Sequence, residues 1–436
     1  MLLLFAAASA APSFNVRDFG AAGDNRTDDT AAFEKALAKA AATTGASQVL
    51  VPKGGVYLIR PINLTSDLDF YIEGGAHITG MMDHTAWPII EPAPSYGQGR
   101  DHKGPRYTSL LHGEHLHNVT IRGDGTRSIL DGQGWYWWAR HKTGKTPSGE
   151  PSVEMYTRGH LLEFMFSSSI GVYDLTMKDS PFWTNHFFDC DRVHVRGVAI
   201  TAQTGLWGAP NTDGWDPDSA TNVLIEDSSY QGGDDCVAIK SGWDCFGVAY
   251  AKPTRNVTVR NVTCDGRVAG VAIGSEMSGG VEDVTIDRVH FRRANGAAHI
   301  KTGQTRGGYV TNVSFRNLTF ADGAEMQEGV LVDAHYGDRN PSCPASWKPA
   351  APPRMANYSF INIDGRKTSV SSNPFHFMSV AAAPITGVFI KNVHLPRAKA
   401  KGAFKENWEC VHVEGSVVEG STTPWPPCKE MKVIPS

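Results

Sequence analysis

The residues with the clearest chemical potential in this chain are carboxylates in two short motifs, Asn211-Thr212-Asp213-Gly214 and Gly232-Gly233-Asp234-Asp235-Cys236. Asp213 and Asp234 are 234 − 213 = 21 positions apart, close to the period at which the surrounding sequence repeats. In a coil of parallel strands successive turns lie about 4.8 Å apart, so residues one turn apart stack on one face. The three acids are therefore expected to meet in one patch. Crowded acids repel and their pKa values separate, leaving one protonated while another stays ionised. That division suits general acid and general base work on a glycosidic bond.

The elements that must position these acids can be read from recurring polar-Val-x-apolar segments. They include Asn118-Val119-Thr120-Ile121, Arg192-Val193-His194-Val195, Asn222-Val223-Leu224-Ile225, Asn256-Val257-Thr258-Val259, Asp283-Val284-Thr285-Ile286, Asn312-Val313-Ser314-Phe315 and Gly387-Val388-Phe389-Ile390. From Val193 the steps are 30, 34, 27, 29 and then 75 residues, the last leaving room for two or more further turns. Each segment alternates and is β-branched, as strands are, and the period is too long for hairpins. A lone repeat cannot bury its apolar side, but a stack builds a continuous core. The expected fold is all-β, a single right-handed parallel β-helix with an N-terminal capping helix.

Residues 1–10 read as a signal peptide, an apolar run ending Ala8-Ser9-Ala10 and cut before Ala11. Residues 11–60 read as a capping segment. Its helix spans Ala31 to Ala42, is capped by Thr27 or Asp28, and places Phe33, Leu37 and Ala40 on one face. The coil is assigned to 61–398, with a Pro-rich loop from Gly337 to Met355, and 399–436 to a loosely structured tail. The chain has 436 residues, 41 Lys and Arg against 45 Asp and Glu, and a net charge of −4. That balance points to no nucleic-acid partner, and no segment has the length of a membrane span. The expectation is a monomeric, secreted protein acting outside the cell, at the cell wall, with no cofactor and no metal.

Eight Asn-x-Ser/Thr acceptors occur, at Asn25, Asn63, Asn118, Asn256, Asn261, Asn312, Asn317 and Asn357. Most coincide with the strand repeat, where turn-forming Asn explains them, so Asn25 and Asn63 are the informative ones. Seven cysteines leave at least one unpaired. Cys410 and Cys428 are placed to staple the C-terminal stretch, and Cys236 and Cys264 to lock the turn carrying Asp234 and Asp235. Cys190, Cys245 and Cys343 default to buried free thiols.

Over nearly its whole length the chain resembles glycoside hydrolase family 28, the polygalacturonases, and in particular their plant-type branch. The resemblance is carried by Ser180-Pro181-Phe182-Trp183, by both aspartate motifs, by Gly233-Asp234-Asp235-Cys236-Val237-Ala238-Ile239-Lys240-Ser241-Gly242, by Gly274-Ser275-Glu276-Met277-Ser278-Gly279-Gly280 and by Ile300-Lys301-Thr302. It implies inverting hydrolysis of α-1,4-galacturonosidic bonds in pectic polysaccharide. Asp234 would be the general acid, and Asp213 and Asp235 would hold and deprotonate the water. Inversion needs carboxyl groups about 6.5 to 9.5 Å apart. Neighbours on a regular strand face opposite ways, so Asp234 and Asp235 can share a cleft only on a bend, which Gly232 and Gly233 would permit. Asn211 and Lys301 are candidate substrate contacts, with Arg306 and Tyr336 as weaker ones.

Two departures stand out. Val268-Ala269-Gly270 replaces the family's Gly-His-Gly, as the plant-type branch also allows, and His299-Ile300-Lys301 replaces Arg-Ile-Lys. His299 can act for arginine only when protonated, so affinity is expected to weaken between mildly acidic and neutral pH. Two other classes fit some of these residues. A Ca²⁺-dependent pectate lyase would use Lys240 as its base. A non-catalytic polysaccharide-binding β-helix would explain the departures, although clustered acids repel a polyanion.

Overall fold

The computed structural model describes residues 11–205, 207–337, 339–398, 407–425 and 427–436; the expected signal peptide at 1–10 lies outside them. Its backbone is a right-handed coil of parallel strands running from Ser13–Asn15 to Met431–Ile434. Among the described residues the one antiparallel strand pair joins Ile89–Ile90 to Arg106–Tyr107, in an excursion from the coil. The repeat read from sequence is the observed register: Val193, Val223, Val257, Val284 and Val313 pair in succession, followed by Tyr358 and Val388. All of these point inward and are buried. The 75-residue step holds one further turn rather than two, because the loop ahead of Arg354–Asp364 consumes the difference.

The polar residue that opens each repeat has a conformational task. Asn222, Asn256, Asn312 and Asn357 all adopt positive φ, between 55° and 63°, a left-handed conformation that Asn tolerates better than most residues. Their side chains form a ladder: Asn256 Nδ2 donates to Asn222 Oδ1 at 2.7 Å and Asn357 Nδ2 to Asn312 Oδ1 at 3.1 Å. A second ladder marks the bend midway along the long strands, where Asn261 donates to Asp227 at 2.6 Å and Asn362 to Asn317 at 3.1 Å. The bends divide each long strand between two walls. A separate sheet of eleven parallel strands, from Ile62–Asn63 to Trp408–Val411, forms the third wall and carries the acid motifs.

The coil is longer than residues 61–398. Ser47–Val51 already pairs in parallel with Leu68–Ile72, so the N-terminal segment contributes turns of its own. Helix α1 (Thr30–Ala41) packs Phe33, Ala36, Leu37 and Ala40 onto those turns, with Phe33 against Tyr57 and Phe70. Asp28 accepts from the Thr30 N–H at 3.1 Å, while Thr27 is turned to Asp24. At the other end Trp408–Val411 pairs with Phe375–Met378, and Met431–Ile434 with Val413–Val418. From residue 407 the supposed tail is thus coil, since its apolar residues complete the core: Trp408 stacks on Phe375 at 3.9 Å.

Cys236–Cys264 and Cys410–Cys428 are disulfides, and Cys190 is a buried free thiol. Cys245 and Cys343 are not free thiols: they bond to each other across 98 residues, tying the loop after Tyr336 to helix α2 (Asp244–Tyr250). Such a pairing follows from the fold of the loop, which no local spacing encodes.

Candidate active site

The eleven-stranded sheet stacks Trp215–Asp218, Val237–Ile239, Ala269–Ile273 and Gly296–Lys301 in parallel. Trp215 pairs with Val237, which places Asp213 directly beneath Asp235, 22 residues away, rather than beneath Asp234. The Gly214 N–H donates to the Asp235 carbonyl at 3.1 Å and confirms that alignment. Asp234 and Asp235 lie on a bend just ahead of their strand. Gly233 makes it possible: a Cβ there would come within 2.1 Å of the Ala209 carbonyl oxygen. Oxygen atoms of Asp213, Asp234 and Asp235 all come within 4.8 Å of one another. These closest oxygens approach more nearly than the about 6.5 to 9.5 Å between carboxyl groups that is expected of an inverting pair.

Each acid has its own environment. Asp235, 1 % exposed, accepts from Lys301 Nζ at 2.7 Å and from the Ala269 N–H at 2.7 Å. Asp234 accepts from the Asn211 N–H at 3.2 Å and from the Asp235 N–H at 2.9 Å. Burial, and then the charge of Asp235, push its pKa up to about 6. Asp213 is 4 % exposed, and its Oδ1 has no hydrogen-bond partner. Burial, followed by the charge of Asp234, raises its pKa well above the usual carboxylate range. A cluster of this kind retains a proton near neutrality, shared between Asp213 and Asp234.

The acids line a cleft with Arg100, Trp183, Asn211, Lys240, Glu276, Lys301 and Tyr336. Of the expected substrate contacts, Asn211, Lys301 and the exposed Tyr336 are therefore at the acids, and Lys301 Nζ stands 5.9 Å from the Tyr336 ring centroid. Arg306 is elsewhere. Its fully buried guanidinium donates to Asp244 at 2.6 Å and to the Ser275 carbonyl at 2.7 Å, holding the turn under the cleft. His299 does not line the cleft either. It shares a strand face with Lys301, but its ring folds over Gly296, where a Cβ would lie 1.6 Å from Nε2. Burial and the Lys301 ammonium pull its pKa down to about 4, so it is uncharged at mildly acidic pH, contrary to the expectation from its sequence position.

Lys240, Glu276 and Arg100 form a charged floor beside the acids. Lys240 Nζ lies 3.2 Å from Glu276, 3.7 Å from Asp216 and 4.0 Å from Asp213, and sits 4.5 Å from the Trp183 ring centroid. Burial alone would favour its neutral form, but Glu276, Asp216 and Asp213 outweigh that and raise its pKa. Glu276 also accepts from Arg100 Nε at 2.7 Å. Trp183 and Glu276 belong to motifs evident in the sequence; Arg100, 176 residues from Glu276, carried no local signal. Of the groups of acids and histidines that could approach a metal ion, two are the three aspartates and His160, Glu163 and His186. Both already contain cations, Lys301 on Asp235 and Arg106 on Glu163 at 2.9 Å.

A parallel β-helix with an acid cluster in an open groove, flanked by lysines, defines a class of enzyme acting on acidic polysaccharide chains. Residues 41–421 match the family described as Glycosyl hydrolases family 28, and the chain belongs to that family. It is 36 % identical over 421 residues to a probable polygalacturonase of Vitis vinifera, covering 95 % of this chain and 80 % of that one. A polygalacturonase of Persea americana is 28 % identical, with 94 % and 79 % covered. Among solved structures, an exopolygalacturonase from Thermotoga maritima shares the fold with a TM-score of 0.73 at 21 % identity, covering 97 % of this chain and 92 % of that one. The polygalacturonase of Erwinia carotovora gives 0.68 at 21 % identity, with 94 % and 98 % covered.

Proposed function

We propose that this glycoside hydrolase cleaves α-1,4-galacturonosidic bonds in polygalacturonate, with Asp234 as general acid. Its raised pKa keeps the proton available in mildly acidic solution, and the Asn211 and Asp235 N–H groups stabilise the carboxylate left after transfer. Asp213 and Asp235 hold the attacking water; with the shared proton on Asp234, the unpartnered Asp213 Oδ1 is the acceptor that takes the water's proton. Lys301 supplies the cation for a galacturonate carboxylate beside the reacting bond. The convergence of three carboxylates within 4.8 Å beside Lys301 is the observation that carries this reading. Inversion remains the outcome implied by the family, despite the close spacing. Proton NMR of the first-formed reducing ends tests it, since α-linked substrate should give the β anomer.

The lyase reading requires Lys240 to act as a free amine. With Glu276, Asp216 and Asp213 around it, Lys240 is held protonated and has no lone pair to offer. A reducing-sugar assay on polygalacturonate, with chelator in parallel and ultraviolet absorbance followed, separates the classes. Hydrolysis gives reducing ends without absorbance and is unaffected by chelator. A binding module would release nothing. Export is supported by the three disulfides, which persist in oxidising surroundings. Among the described residues no helix is long and apolar enough to cross a membrane. The secreted form is proposed to be a monomer.

A further inference from the structure

Beneath the cleft lies an arginine that neither the motifs nor the chemistry above accounts for. Arg158 is fully buried, and its guanidinium grips four segments of chain. Nη2 donates to Asn211 Oδ1 at 2.8 Å and to Asp101 Oδ2 at 3.1 Å, and Nη1 donates to the carbonyls of Pro181 and Pro210, both at 3.0 Å. Nε lies 3.3 Å from Asp101 and 3.4 Å from Glu154, and the group covers the Phe182 ring at 4.8 Å. The Pro210 carbonyl and the Asn211 N–H belong to one peptide unit. Its oxygen accepts from Arg158, and its nitrogen donates to Asp234 Oδ2 at 3.2 Å.

We infer that Arg158 is a positioning residue for the general acid, acting on Asp234 through the Pro210–Asn211 peptide. A cation on the carbonyl end polarises the peptide and strengthens its N–H as a donor. Asn211 adopts φ 57°, and its side chain is held by the same guanidinium, so two contacts fix the direction of that N–H. The inference rests on Asp234 being the acid. Without Arg158 the N–H loses its orientation and part of its strength, so Asp234 loses support for its charged form.

Asp101 and Glu154 face Arg158, and Glu154 is contacted in turn by His102 at 3.3 Å and His141 at 2.7 Å. Asp213, Asp235, Lys240 and Lys301 face Asp234.

The test compares wild type, Asp234→Asn, Arg158→Met and Arg158→Lys on polygalacturonate across pH, with thermal melts. Arg158→Met is expected to lower kcat by about 10- to 100-fold, the scale of a displaced catalytic group. It should also move the alkaline limb of kcat to higher pH, because the charged form of the acid has lost a donor. Arg158→Lys should recover part of both effects, since the ammonium keeps the charge but lacks the planar fork that holds the Pro210 carbonyl and the Asn211 side chain together. If Arg158→Met does not fold, Glu154→Gln and Asp101→Asn, which loosen the guanidinium from behind, should shift the limb the same way by less. A melt lowered with the pH profile of the surviving activity unchanged would overturn the inference and leave Arg158 a packing residue. If instead Asp234→Asn keeps wild-type turnover, or the wild type is inactive, the assignment of the acid has failed and the inference falls with it.

Discussion

At the scale of single residues, the local environment decides which acid carries the proton. Asp234→Asn is nearly isosteric but has no acidic proton, so turnover should fall by about two to four orders of magnitude with oligogalacturonate binding retained. The same substitution has a stability signature. Folding raises this carboxyl from 3.8 to about 6, so its contribution is full below about pH 4 and is lost as pH rises through 6. The Asn protein should therefore melt above the wild type at pH 7 and converge with it below pH 4; an unchanged difference across that range would place the ionised acid in water. For His299, with its pKa near 4, the expectation is reversed from that of a surface histidine. Oligogalacturonate affinity of the Asp234→Asn protein should be flat between pH 5 and 7, and titration calorimetry would expose any slope.

At the scale of elements, the Asn ladders explain why so many glycosylation motifs coincide with the repeat. In Asn118, Asn256, Asn261, Asn312, Asn317 and Asn357 the Nδ2 that would carry a glycan already donates to the rung before it. Asn25 and Asn63 are exposed and outside the ladders. Glycan mapping of secreted protein should find those two occupied and the ladder sites empty. Asn261→Ala, which loses the ladder bond and must hold φ 52° with a Cβ and no compensating side chain, should cost about 1–3 kcal/mol in denaturant melts, whereas Asn63→Gln, at an exposed position without positive φ, should cost almost nothing.

Across the whole molecule, buried titrating groups outside the trio give stability a preferred pH. His186 bridges Glu163 at 2.8 Å and Asp218 at 3.2 Å; burial opposes its charge, but the two carboxylates raise its pKa to about 9. Asp216 is raised to about 8, by burial first. Both are raised on folding: the contribution of Asp216 is full below about pH 4 and is lost as pH rises through 8, and that of His186 is full below about 6.5 and is lost as pH rises through 9. Glu163 and Glu276 run the other way: burial opposes their charge, but Arg106 on the one and Lys240 on the other hold them well below the usual range, so their contribution is lost on acidification. The melting temperature should pass through a maximum in mildly acidic solution and fall towards pH 9. Calorimetry across pH 3 to 9 that shows a plateau up to pH 9 would contradict the bridged imidazolium.

The sequence by itself determined the coil, because a core built by stacking must repeat its inward Val and its left-handed Asn at every turn, and that pattern is local. It also determined the meeting of the three aspartates, since one-turn spacing and the glycines before Asp234 are local too. Register was needed to show that Asp213 stacks under Asp235 and that the Ala269 N–H serves that acid. Tertiary structure alone decided the fates of Arg306 and His299: alternation along a strand gives a side chain its face, but burial and partners from distant segments settle whether it reaches the cleft. The Cys245–Cys343 bond, Arg100 on Glu276 and the grip of Arg158 on Asn211 have the same origin. Each joins residues more than fifty positions apart through loops whose paths are set by packing, and no period in the chain records such a path.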